Sequence, residues 1–248
     1  MLRNFLTFFI AAILSFALIY SLIPEPPVTK IYNEKTTQVK NIEEQKSQYL
    51  LPSYVLINNV PFTPQAPFAD WQDIRQQEAC EEASIVMAAY WNFNKNLSKQ
   101  TALDEILKTV KFEEEKFGFH IHTDLEIAQE VLSSYFNTKN TELKYNISIK
   151  DIREALANDS VVLVSMHGKK LKNPHFLNGG PKNHMILIIG YDDKNKIFIT
   201  HDPGTRNGEN YEYSYEIIED SLYNYPSSNQ EWTDQRPKTA MLSVEKSN

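Results

Sequence analysis

The sequence predicts an α+β fold, with helices first and an antiparallel sheet after them, and three observations predict it. Between residues 80 and 157 apolar side chains recur at helical spacing behind polar capping residues. From Val161 onward the period shortens to that of strands, in β-branched and aliphatic runs. The tetrapeptide Asp192-Asp193-Lys194-Asn195 joins two of these runs as a turn, which makes them antiparallel neighbours.

The elements follow in chain order. Met1–Asn4 carries one charge, Arg3, and in the 19 residues from Phe5 to Ile23 only Thr7, Ser15 and Ser21 are not apolar. A helix of that length, at about 1.5 Å per residue, covers the roughly 30 Å hydrocarbon core of a bilayer. Residues 1–23 therefore read as a transmembrane anchor, with a cleaved signal segment as the alternative. Residues 24–52 read as a flexible stalk that opens with Pro24, Pro26 and Pro27 and turns polar. Residues 53–248 read as one folded domain. In either case this domain is expected outside the cytoplasm, held at the membrane by the N-terminal helix or secreted after cleavage.

Within the domain, Tyr54–Phe62 favours a strand. Cys80 to about Asn94 reads as a buried helix through Ala83, Val86, Met87 and Tyr90. Ser98 caps a second helix with Leu103, Ile106, Leu107 and Val110 on one face. Thr123-Asp124-Leu125-Glu126 reads as a capping box opening a third, and Ser148 precedes a fourth near Lys150–Ala157. Val161–Met166, His184–Tyr191 and Lys196–His201 then read as strands, and Tyr211–Tyr215 alternates like an edge strand.

Composition bounds the function. Hydrophobic residues at 42% and aromatics at 12% are enough for a core, which excludes disorder throughout. With 32 acidic against 25 basic residues the chain carries −7, the wrong sign for a nucleic-acid partner. The single cysteine, Cys80, excludes an internal disulfide and a paired-cysteine zinc site. His120 and His122 form at most half a zinc site with no further ligand in view, so no metal and no cofactor is expected.

Cys80 is thus either a buried inert thiol or a working one. It lies in the first turn of its helix, where free N–H groups and the helix dipole favour a thiolate. Glu81 and Glu82 oppose this unless both point away. A thiolate nucleophile needs an imidazole to take its proton and an acceptor to orient the imidazole. His184, at the mouth of an apolar strand beside the loop Asn178-Gly179-Gly180, suits the first role, or is an ordinary strand-end histidine. Asp202, in His201-Asp202-Pro203-Gly204, would be brought beside it by the hairpin, or is a turn-forming Asp before Pro. Gln65 is the candidate side-chain donor for an oxyanion, with Gln76 and Gln77 competing.

With these residues assembled, the sequence resembles the C39-like cysteine peptidases of the papain-like superfamily. The carrying segments are Val60-Pro61-Phe62-Thr63-Pro64-Gln65, Ala79-Cys80-Glu81-Glu82-Ala83-Ser84, His184 through Asp192, and His201-Asp202-Pro203-Gly204-Thr205. Their order, Gln, Cys, His, Asp, is the family's. The resemblance implies a papain-like fold, a Cys80 nucleophile, a His184 base, an Asp202 orienter and a Gln65 oxyanion donor, acting on a peptide or protein substrate. Two departures stand out. The chain has Ala79-Cys80-Glu81 where the better-known motif has Asp-Cys-Gly, and Gln65 lies 15 residues before Cys80, with Trp71 in the intervening loop as a cover for the cleft. A silent binding module, and an acyl or γ-glutamyl transferase on the same scaffold, are the alternative functions.

Overall fold

The computed structural model describes residues 51–247. The segment read as an anchor and the stalk through residue 50 lie outside the described residues. Among the described residues no helix is long and apolar enough to cross a membrane.

Seven strands form one antiparallel sheet: β1 (Tyr54–Leu56), β2 (Thr141–Tyr145), β3 (Ser160–His167), β4 (Asn183–Asp192), β5 (Ile197–His201), β6 (Tyr211–Ser214) and β7 (Ala240–Glu245). Their order is β2-β7-β3-β4-β5-β6, and β4 is long enough to take two partners on one edge. Its first half pairs with β3, Met166 opposite His184, and its end pairs with β1, Leu56 opposite Gly190. The backbones come so close there that a Cβ on Gly190 would sit 2.4 Å from the Val55 carbonyl oxygen. Only glycine fits.

The helices are α1 (Ile74–Gln77), α2 (Cys80–Asn92), α3 (Lys99–Phe117), α4 (Leu125–Ser134), α5 (Ile149–Ala157) and α6 (Tyr215–Ser221). Every residue of α2 except Tyr90 is buried, as expected of a helix apolar on nearly all sides. α2 packs on β4 and against α3 and α4, while α5 packs on β3 and β4 and against α6. From Ser160 to Met166 and from His184 to Tyr191 every residue is buried, so the middle of the sheet is covered on both faces. This explains why β4 reads as a continuous apolar run rather than an alternating one.

Several expectations shift in detail. Ser98 caps α3 through the Thr101 N–H, and Gly118 closes it in the left-handed region at φ 85°. The cap of α4 is Asp124 rather than Thr123. The Asp124 carboxylate takes the Ile127 N–H and is itself held by Arg236 at 3.0 Å, which leaves the Thr123 hydroxyl buried without a partner. Ser148 and Asp151 form the true capping box, at α5. The β-favouring run Tyr54–Phe62 yields only three residues of strand, because Asn59 turns the chain at φ 59°. The Tyr-rich run ends at Ser214, whose hydroxyl caps α6.

Candidate active site

The site is assembled where the start of α2 meets the start of β4 and the end of β5. The β4–β5 hairpin sets Leu187 opposite His201, so the next residue, Asp202, leaves the sheet two residues short of the level of His184. His184 Nε2 and Asp202 Oδ1 are 2.8 Å apart, and both residues are buried.

Asp202 is a fully satisfied carboxylate. Oδ1 also accepts the Gly204 N–H at 2.9 Å, and Oδ2 accepts the Tyr213 hydroxyl at 2.6 Å and the Asn173 amide at 3.4 Å. Asn173 in turn donates to the Tyr213 oxygen at 2.7 Å. Burial works against the charged form, but the His184 charge and these donors outweigh it and hold the Asp202 carboxyl below its usual range. The backbone is fixed as tightly. Asp202 donates its N–H to the Gly208 carbonyl, and a Cβ on Gly208 would fall 1.8 Å from the Asp202 carbonyl oxygen. Phe176 stands edge-on to the His184 ring, with centroids 5.3 Å apart. The other ring nitrogen, Nδ1, is buried and has no hydrogen-bond partner.

Cys80 is the first residue of α2, after the cap residue Ala79. Ser84, one turn on, donates to the Cys80 carbonyl at 2.8 Å and lies 3.2 Å from the carbonyl of Met185, the residue after His184. The thiol itself donates to Glu81 Oε2 at 2.9 Å, and Glu81 Oε1 accepts the Tyr225 hydroxyl at 2.7 Å. The lowered thiol pKa expected at a helix start is therefore reversed. Burial pushes the Cys80 thiol well up, and the Glu81 charge and hydrogen bond add to it, against only the Met185 N–H in the other direction. Glu81 points at the sulfur, not away from it.

Behind Glu81 lie two further buried carboxyls. Glu82, on α2, and Glu113, on α3, find no N–H or O–H donor and face each other. Burial, and then their mutual repulsion and that of Glu81, pushes Glu82 well up. Burial brings Glu113 to about 8. Burial therefore favours the protonated form of both carboxyls.

Gln65 is buried beside the same turn. Its backbone N–H donates to Pro203 O at 2.9 Å, and its side-chain amide donates to the carbonyls of Gln76 (3.1 Å) and Gln77. Both amide hydrogens are thus engaged with the backbone leading into Cys80. The Gln76 side chain is buried, while Gln77 is exposed. Trp71 is 39% exposed in the loop between Gln65 and Cys80. His120 pairs with Glu114 at 3.0 Å, and among the described residues no three His, Cys, Asp or Glu side chains converge as metal ligands.

Sequence reasoning missed Asn173, Tyr213 and Tyr225. Tyr213 was within reach, since it sits in an alternating strand next to the one that leads into Asp202. Nothing local marks Asn173 or Tyr225. A cavity of about 470 Å³ lined by Asn58, Trp91 and Asn158 contains none of these residues.

A family model described as Peptidase_C39 like matches residues 57–231. Among solved structures, the chain is similar to one described as a C39-like peptidase from Bacillus anthracis. The two share 16% identity at a TM-score of 0.50, over 79% of this chain and 99% of that one. Xylellain, a cysteine protease from Xylella fastidiosa, is 14% identical at a TM-score of 0.35, over 80% and 88%. No curated protein matches in sequence.

Proposed function

The chain belongs to the C39-like peptidase family, and on that premise we propose that it is a thiol hydrolase cleaving peptide or related amide bonds with Cys80, His184 and Asp202. The observation that carries this reading is the buried His184–Asp202 pair with one imidazole nitrogen, Nδ1, left without a partner beside the strand position that α2 abuts.

In the proposed reaction the Cys80 Sγ–H bond breaks and the proton passes to His184 Nδ1 as sulfur bonds to the substrate carbonyl carbon. Asp202 holds the imidazole through Nε2 and stabilises the imidazolium that forms. The imidazolium then protonates the leaving amine, and water, deprotonated by the same imidazole, releases the acyl group from sulfur. The oxyanion faces the start of α2, where the first N–H groups of a helix, that of Cys80 included, have no partner within the helix. Gln65 joins them as second donor by releasing one of the two carbonyls it holds. The domain works outside the cytoplasm, tethered by the apolar segment Phe5–Ile23.

The test is hydrolysis of unfolded polypeptides by the full-length protein, counted as new amino termini. Cys80→Ala brings the count to background. An unchanged count sinks the proposal.

One observation favours a second reading, a silent binding module. The thiol is protonated and bonded to Glu81 rather than to an imidazole. On that reading the wild type also stays at background while the cleft still binds peptide.

A further inference from the structure

Among the described residues, Glu81 is the carboxylate that accepts a hydrogen bond from the proposed nucleophile. Its two oxygens are divided between Cys80 Sγ and the Tyr225 hydroxyl, and all three residues are buried. Tyr225 is braced from outside by Tyr223, on which Trp232 stacks at 5.5 Å. The side chain therefore has a fixed direction, and that direction is the sulfur.

We propose that Glu81, oriented by Tyr225, is a positioning residue that sets the resting orientation of the Cys80 thiol and keeps the proton on sulfur in the free enzyme. The inference rests on the hydrolase reading above, because it describes how that nucleophile waits. The starting state is a neutral thiol hydrogen-bonded to a carboxylate, with His184 Nδ1 open. Acylation then begins when the S–H turns from Glu81 Oε2 to His184 Nδ1. The proton moves to nitrogen, and the electron pair of the S–H bond goes into the new bond to carbon. Without Glu81 the thiol has no competing acceptor, and the thiolate that forms meets no carboxylate 2.9 Å away.

Several groups act on this carboxylate. Glu82 lies beside it on α2 and Glu113 across from it on α3, both raising the local cost of negative charge. Burial raises the Glu81 pKa, and the hydrogen bonds from Cys80 and Tyr225, with the charge of His122 in the segment before α4, work against it in favour of the ionised form. Tyr225 donates to it, with Asp124, paired to Arg236, behind. His184 precedes Met185 on β4, the residue whose N–H acts on the sulfur. Of these, Glu81 alone touches the sulfur with a charge.

The experiment is the pH dependence of Cys80 alkylation by iodoacetamide, followed by mass on the Cys80 peptide of the full-length protein. Glu81→Gln keeps the side chain's size and one acceptor oxygen but removes its charge. Its alkylation midpoint is expected to fall by about 1–2 pH units relative to the wild type. Tyr225→Phe is expected to move the midpoint the same way by less, because without the phenol Glu81 is protonated, and so neutral, over more of the range. A midpoint unchanged in both variants overturns the inference, and so does lower thermal stability with no shift, which marks a purely structural role. Hydrolysis by the same preparations separates the two readings. A shifted midpoint without turnover in any form removes the hydrolase reading and keeps Glu81 as holder of the thiol proton. Turnover with unshifted midpoints does the opposite.

Discussion

Asp202 and Glu81 are both buried carboxylates, and they are built in opposite ways. Asp202 receives an imidazole, a hydroxyl, an amide and a backbone N–H, so its charge is solvated by the protein. Glu81 receives a phenol and a thiol, and behind it Glu82 and Glu113 have only each other. One side of the site is arranged to keep a negative charge, the other to keep protons. Burial is the same on both sides, so burial alone does not decide ionisation. The number and kind of donors does.

The largest effect expected from this contrast is on the charged side. Asp202→Asn keeps the shape but supplies an N–H where two donors converge. Hydrolysis is expected to fall roughly 10³–10⁴-fold, as for an imidazole left in the wrong tautomer. A rate within tenfold of the wild type would show that Asp202 is not the group that orients the imidazole.

Next comes the proton-holding side. Glu113 has its folded pKa raised to about 8 from 4.5, so the folded state binds a proton that the unfolded state has lost. Stability from this group is present below about pH 4.5 and is lost as pH rises through 8. Asp202, depressed, contributes the reverse, stability lost as pH falls below its ordinary value of 3.8. The wild type is thus expected to lose on the order of a few kcal/mol between pH 5 and 8, and Glu113→Gln to flatten that slope. Unfolding midpoints in urea across this range measure it. A slope equally steep in the variant would place the titrating groups elsewhere.

The smallest effect is at Tyr213. Tyr213→Phe removes one of four donors to Asp202 and is expected to cost about 1 kcal/mol in stability. The rate should fall by less than tenfold, since His184 and Gly204 remain in place. A loss as large as that of Asp202→Asn would mean that the phenol, not the carboxylate, orients the imidazole.

Much of this was legible in the sequence, for reasons that differ by element. α2 and β4 could be read because burial on nearly all sides leaves an unbroken apolar run, and α3 and α5 because Ser98 and Ser148 mark their starts. β2 and β7 were not read. β2 is a five-residue edge strand with only alternate residues half-buried, and β7 finds its partners Thr141–Tyr145 and Ser160–Val164 far back in the chain. The His184–Asp202 contact followed from hairpin geometry. The bond between Cys80 and Glu81 did not, because neighbours on a helix do not ordinarily face each other. It exists because Tyr225, 144 residues away, holds the other carboxylate oxygen.

The central claim is that the open imidazole nitrogen takes the proton of Cys80. His184→Ala in the full-length protein tests it most directly, with hydrolysis of unfolded polypeptide followed as new amino termini and folding checked by thermal unfolding. The account predicts a folded variant whose rate is lower by about 10²–10⁴-fold. A folded variant that cleaves at the wild-type rate would contradict it.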